Sequence, residues 1–152
     1  MSEVWKKRIR IGGWILLILY LCLLIYALLF PEGYSRTPDA GYRWNLIPFQ
    51  EISRFWIYRE QVGIPAAVLN LLGNVVGFMP LGYIPPILSA RFRSIGKSLL
   101  LGFCISLLIE LLQLVTRVGI FDVDDLILNT LGAGLGSAVF LFMNHILKKR
   151  RG

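Results

Sequence analysis

Charge is scarce in this sequence. Asp, Glu, Lys and Arg make up 16% of it and hydrophobic residues 56%, a share well above that of an ordinary soluble domain. A soluble chain of 152 residues covers its surface with charge; here the charges lie in clusters separated by long uncharged tracts. Such a chain has lipid for its solvent. Histidine is nearly absent, since His145, beside Lys148, is the single one. The two cysteines, Cys22 and Cys104, fall inside apolar tracts, with no second thiol or imidazole at ligand spacing, and read as small lipid-buried residues. No serine or cysteine has a base nearby, so a conventional hydrolytic triad finds no support. The net charge of +7 does not point to nucleic acid, because the basic residues stand next to apolar tracts, where they meet anionic headgroups.

What the chain has in abundance is apolar length. A bilayer core takes roughly 20 mainly apolar residues per helix. Four tracts meet that requirement, at about 11–30, 66–88, 97–116 and 126–147. The first follows Lys6-Lys7-Arg8-Ile9-Arg10, as a secretory signal would, but it is longer than a signal core and ends without a small-residue cleavage pattern. It reads as a retained span, with a cleaved signal as the alternative. The expected fold class is therefore an all-α integral membrane protein, a single domain over 1–152 built as a four-transmembrane-helix bundle. Pro80, Pro85 and Pro86 in the second tract would break a helix in water, whereas packed neighbours tolerate them in a bilayer.

Orientation follows from the basic residues. Lys6, Lys7, Arg8, Arg10, Arg91, Arg93, Lys97, Lys148, Lys149, Arg150 and Arg151 lie at the termini and between spans two and three. Seven of the nine acids lie in the other two connections, beside only Arg36, Arg43, Arg54, Arg59 and Arg117. The positive-inside rule places both termini and the 89–96 turn in the cytoplasm. The first outer connection, roughly 31–65, carries Trp44, Phe49, Phe55, Trp56 and Tyr58 and reads as an interfacial outer segment between helices 1 and 2. It is an anchor in the plain reading and a lid or wall over a site in the sharper one. Gly73/Gly77 and Gly132/Gly136 form two Gly-x-x-x-Gly pairs, expected as packing seams within the bundle and, secondarily, as dimer contacts.

Polar groups inside hydrocarbon are costly and mark function by default. They gather at one level. Asn70 and Asn74 share a face of the second span; Glu110 and Gln113 share one in the third; Asn129 lies on the face of Asp125 in the fourth. The connection between spans three and four adds Arg117, Asp122, Asp124 and Asp125. At least one of the three aspartates is expected to cap the fourth helix, and Arg117 reads as a headgroup contact or as the partner of Glu110. Glu110 and Asp125 are the candidate catalytic groups. Acids without imidazole or thiol suit a hard divalent cation, so Asp122, Asp124, Asp125 and Glu110 are also its candidate ligands, set against plain helix capping; no other cofactor is expected.

The residues Asn45-Leu46-Ile47-Pro48-Phe49, Asn70-Leu71-Leu72-Gly73-Asn74 with Phe78, Pro80 and Gly82, Glu110-Leu111-Leu112-Gln113, Arg117, Phe121-Asp122-Val123-Asp124-Asp125 and Asn129-Thr130-Leu131-Gly132 resemble, in that order and spacing, the VanZ-like family of bacterial membrane proteins. The likeness runs from about 45 to 136. It implies a cell-envelope protein related to ones that confer low-level resistance to the lipoglycopeptide teicoplanin, and its signature residues coincide with the polar level described above. Four functions compete. The first is a protein acting on, or shielding, a lipid-linked or surface component at the outer leaflet. The second is an enzyme there, with Glu110 or an aspartate as base and Arg117 holding a phosphate. The others are a small transporter and a structural or regulatory membrane partner.

Overall fold

The computed structural model of the chain describes residues 3–29, 41–58 and 64–150. Among these, five α-helices follow in order: α1 (Glu3–Leu29), α2 (Gln50–Ile57), α3 (Ile64–Leu88), α4 (Ile95–Thr116) and α5 (Val123–Lys149). Two short strands, β1 (Trp44–Asn45) and β2 (Phe121–Asp122), and a 3-10 turn at Ala90–Phe92 complete the described elements. Four helices are long and apolar enough to cross a membrane, with spans at Lys7–Leu29, Leu71–Leu88, Ile95–Thr116 and Val123–Lys149. The chain is an all-α, multi-pass membrane protein. Helix α1 starts well before the apolar tract, because Lys and Arg are good helix formers and hydropathy marks only the lipid-facing part.

Helix α3 runs unbroken through Pro80, Pro85 and Pro86. Each proline removes one N–H from the helical ladder. The last carbonyls of the helix find donors beyond it: Pro85 O accepts Ser89 N–H at 2.9 Å, and Pro86 O accepts the Arg93 guanidinium Nε–H at 3.1 Å. The most extensive helix interface is that of α3 with α5. A Cβ on Gly132 or Gly136 would overlap the backbone of Val75 or Met79, one turn apart on α3, and a Cβ on Gly82 would overlap Ala133. Helix α4 joins the pair where Gly102 meets Ala133. Of the other glycine pair, Gly77 approaches Leu24 of α1 and Gly73 faces open space.

Helix α1 is peripheral. Only Leu17 of its side chains joins the buried cluster of Phe78, Leu81, Ile109 and Ala133, and most of its large apolar residues face outward. The Tyr20 hydroxyl donates to Gly77 O, and Trp14 meets the Phe92 ring edge-on at 6.0 Å. Successive spans alternate in direction. One end of the bundle therefore collects both described termini and the 89–94 turn, and the other collects α2, the two strands and the start of α5.

Candidate functional site

The site begins with a change of direction after α4. Arg117 adopts a left-handed conformation (φ 55°), and Val118 N–H returns to Gln113 O at 3.2 Å, which closes the helix. The chain then runs back so that β2 lies parallel to β1, pairing Trp44 with Phe121 and Asn45 with Asp122. Phe121 N–H adds a bond to Arg43 O at 3.1 Å. Two motifs separated by some 75 residues are thereby set side by side.

Three carboxylates then form a relay of carboxylate–amide bonds. Glu110, 2% exposed within α4, accepts the Asp122 backbone N–H at 2.7 Å. Asp122 Oδ1 accepts the Asp124 N–H at 2.8 Å, which caps α5, and also the Asn45 side-chain amide at 3.2 Å. Asp124 is fully buried and serves another helix. One oxygen accepts Phe49 N–H at 2.5 Å; the other accepts Glu51 N–H at 2.8 Å and Ile52 N–H at 3.1 Å. The N-cap position of α2 is Phe49, which has no side-chain acceptor and sits in the left-handed region at φ 66°. Asp124 supplies the missing cap from a segment 75 residues away in sequence.

The remaining polar groups tie the spans together. Asn74 of α3 donates to Asp125 Oδ1 at 2.5 Å. Gln113 of α4 donates to Leu28 O at the end of α1, at 3.1 Å. One turn deeper, Asn129 Nδ2 donates to Ser106 Oγ at 2.9 Å, while Asn129 Oδ1 and Ser137 Oγ have no hydrogen-bond partner among the described residues. Where these ties converge, a cleft of about 290 Å³ opens. Its polar wall is Glu51, Arg54, Gln113, Asp122, Asp124 and Asp125, and Leu28, Leu71 and Leu128 form its apolar wall. Glu51 and Arg54 pair across one turn of α2 at 2.6 Å. Burial pushes the Asp122 carboxyl above its ordinary range, against the bond from Asp124 N–H. Burial also raises Glu51, opposed by Arg54 and helped by Asp122 and Asp124.

The structure redistributes the roles expected of these residues. Of the three aspartates, Asp122 caps the fourth span and Asp124 caps α2. Glu110 does not line the cleft; it stands behind Asp122 as the inner end of the relay. Arg117 is exposed, with its guanidinium 4.6 Å over the Tyr42 ring, and among the described residues the cation lining the cleft is Arg54. Asn129 is directed at Ser106 of α4. The Asn70 and Phe55 side chains lie outside the described residues. Among the described residues no three acidic, imidazole or thiol groups are arranged to hold a metal ion. Both oxygens of Asp124 and one oxygen of Glu110 accept from main-chain amides. Sequence reasoning missed Glu51, Arg54 and Ser106 as site residues and had Asn45 only as part of the family resemblance. The signal for Glu51 and Arg54 was their position in the aromatic outer segment, and for Ser106 its place one helical turn from Glu110.

The chain matches the VanZ/LLP1 family model over residues 17–144. It belongs to the VanZ/LLP1 family. Protein VanZ of Enterococcus faecium is 30% identical to it over 141 residues, covering 90% of this chain and 78% of that protein. No solved structure matches the chain. The VanZ/LLP1 match takes in α2, both strands and the first turns of α5, so the whole carboxylate relay lies inside the shared region.

Proposed function

We propose that this protein works at the outer leaflet of the bacterial cytoplasmic membrane, binding the polar part of a lipid-linked envelope component in the cleft and thereby lowering susceptibility to a lipoglycopeptide such as teicoplanin. The carrying observation is the cleft itself: polar on the side of Asp125, Glu51 and Arg54, apolar on the side of Leu28, Leu71 and Leu128, at the end of a membrane bundle. An amphiphile suits such a wall better than a soluble metabolite does. The excess of basic residues at the opposite end supports this orientation, with both termini cytoplasmic. In this reading Asp125 and Gln113 contact the ligand and Asn74 orients Asp125, while Asp122 and Asp124 build the wall and Glu110 holds Asp122 from behind. The acidic lining disfavours a phosphate as the recognised group, and Arg117 lies over Tyr42 instead of in the cleft, so no observation favours a phosphate-handling enzyme. A dimer, where one forms, would use the open α3 face at Gly73.

The test is teicoplanin susceptibility of a sensitive Gram-positive host expressing the wild type, Asp125→Asn and Leu128→Trp at matched membrane levels. Protection by the wild type, lost in both variants, is the expected result. Protection retained by both would remove the cleft from the function.

A further inference from the structure

We infer that Asp124 is a positioning residue: its carboxylate latches the interfacial helix α2 onto the bundle and so fixes Arg54 and Glu51 at the mouth of the cleft. Helix α2 is eight residues long, below the length at which an isolated helix holds in water. Its own N-cap residue offers no acceptor. Three main-chain N–H groups at its start, those of Phe49, Glu51 and Ile52, instead converge on the two oxygens of one fully buried carboxylate. Phe49 holds a left-handed conformation that strains a non-glycine residue and persists only where surroundings impose it. The negative charge also faces the positive end of the α2 dipole. Asp124 is in turn held by its own N–H on Asp122, whose N–H is held by Glu110. The relay thus runs from deep inside α4 to a helix at the membrane surface. The cleft's cation and one of its acids are carried by that helix. The consequence for ligand binding rests on the function proposed above; the latch itself does not.

An asparagine at 124 must turn an NH2 toward main-chain donors on one side, so it keeps at most part of the cap. The experiment is amide hydrogen exchange of the full chain in lipid nanodiscs, comparing wild type with Asp124→Asn. Exchange over residues 49–52 is expected to rise roughly fivefold or more, the scale of a lost helix cap, with α3, α4 and α5 unchanged. Unchanged exchange over 49–52 overturns the latch. If the spans of Asp124→Asn also loosen, the wild type alone gives the decision, because first-turn amides have no acceptor within their own helix. Slowed exchange at the amides of 49, 51 and 52, whose acceptor is the Asp124 carboxylate, supports the latch, and exchange there at the intrinsic chemical rate overturns it. In the susceptibility assay, Arg54→Ala and Asp124→Asn are expected to lose protection together, with the double variant no worse than either. Faster exchange with full protection leaves the latch standing and overturns the functional reading.

Discussion

At mid-bundle, α3 and α5 meet backbone to backbone through Gly82, Gly132 and Gly136; at the polar end the same two helices are joined by Asn74 and Asp125, and α5 reaches outward to α2 through Asp124. Both solutions answer one physical problem. Lipid tails are as apolar as leucine, so burying apolar side chains between spans yields no hydrophobic gain, and close packing and polar bonds must hold the helices. The seam works because atoms are absent, and any added side chain meets a carbonyl. The polar end works because acceptors are present, and any lost acceptor strands a buried amide. The first region is intolerant of growth and the second of deletion.

The largest expected effect is on the seam. Gly132→Val should destabilise beyond the ~1–3 kcal/mol usual for overpacking, because the obstacle is the Val75 backbone and not a movable side chain. Thermal unfolding in detergent measures this. Gly73→Ala, which meets open space, is the matched control and should cost nothing. Equal losses in the two would break the distinction between seam and lipid face.

Deletion at the polar end ranks next. Glu110→Ala leaves the Asp122 N–H buried without an acceptor, at about 1–3 kcal/mol, whereas Glu110→Gln keeps an acceptor and should lose less. The same melts decide, and identical losses would argue that bulk, not the acceptor, matters at 110.

The pH dependence sharpens the comparison further. Burial raises Asp122 and Glu51, so the folded state binds more protons than the unfolded chain across the interval between the ordinary and the raised values. Their contribution is fully present below the ordinary carboxylate range and is lost as pH rises through the raised value. Exchange over residues 45–52 should therefore quicken with rising pH beyond the intrinsic chemical rate, and less so in Asp122→Asn. The seam, which has no titrating group, should show no such excess. The smallest effect belongs to Arg117→Ala. Its exposed guanidinium over Tyr42 is worth under about 1 kcal/mol, so stability and susceptibility should barely change.

Much of this was legible from residues alone. Four spans follow from apolar length, because a bilayer sets the number of residues a helix needs and leaves little choice. The level at which Asn74, Glu110, Gln113, Asp125 and Asn129 gather follows from the helical period along each span. That an aspartate caps the fourth helix also follows, since Asp122 precedes an apolar run. Which carboxylate serves which amide was not legible. Asp124 and Phe49 are 75 residues apart, and nothing local in Phe49-Gln50-Glu51-Ile52 announces that its helix borrows a cap.

By itself, the sequence determined the solvent, the number of crossings and the depth of the polar groups, because each is set by composition and period along a single segment. Tertiary structure alone decided the pairing: Asp124 with α2, Gln113 with the end of α1, Arg117 with Tyr42 instead of Glu110, and Arg54 at the cleft. Hydrogen bonds are directional and short, so their partners are settled only when β1 and β2 pair and bring two distant segments within reach of one another.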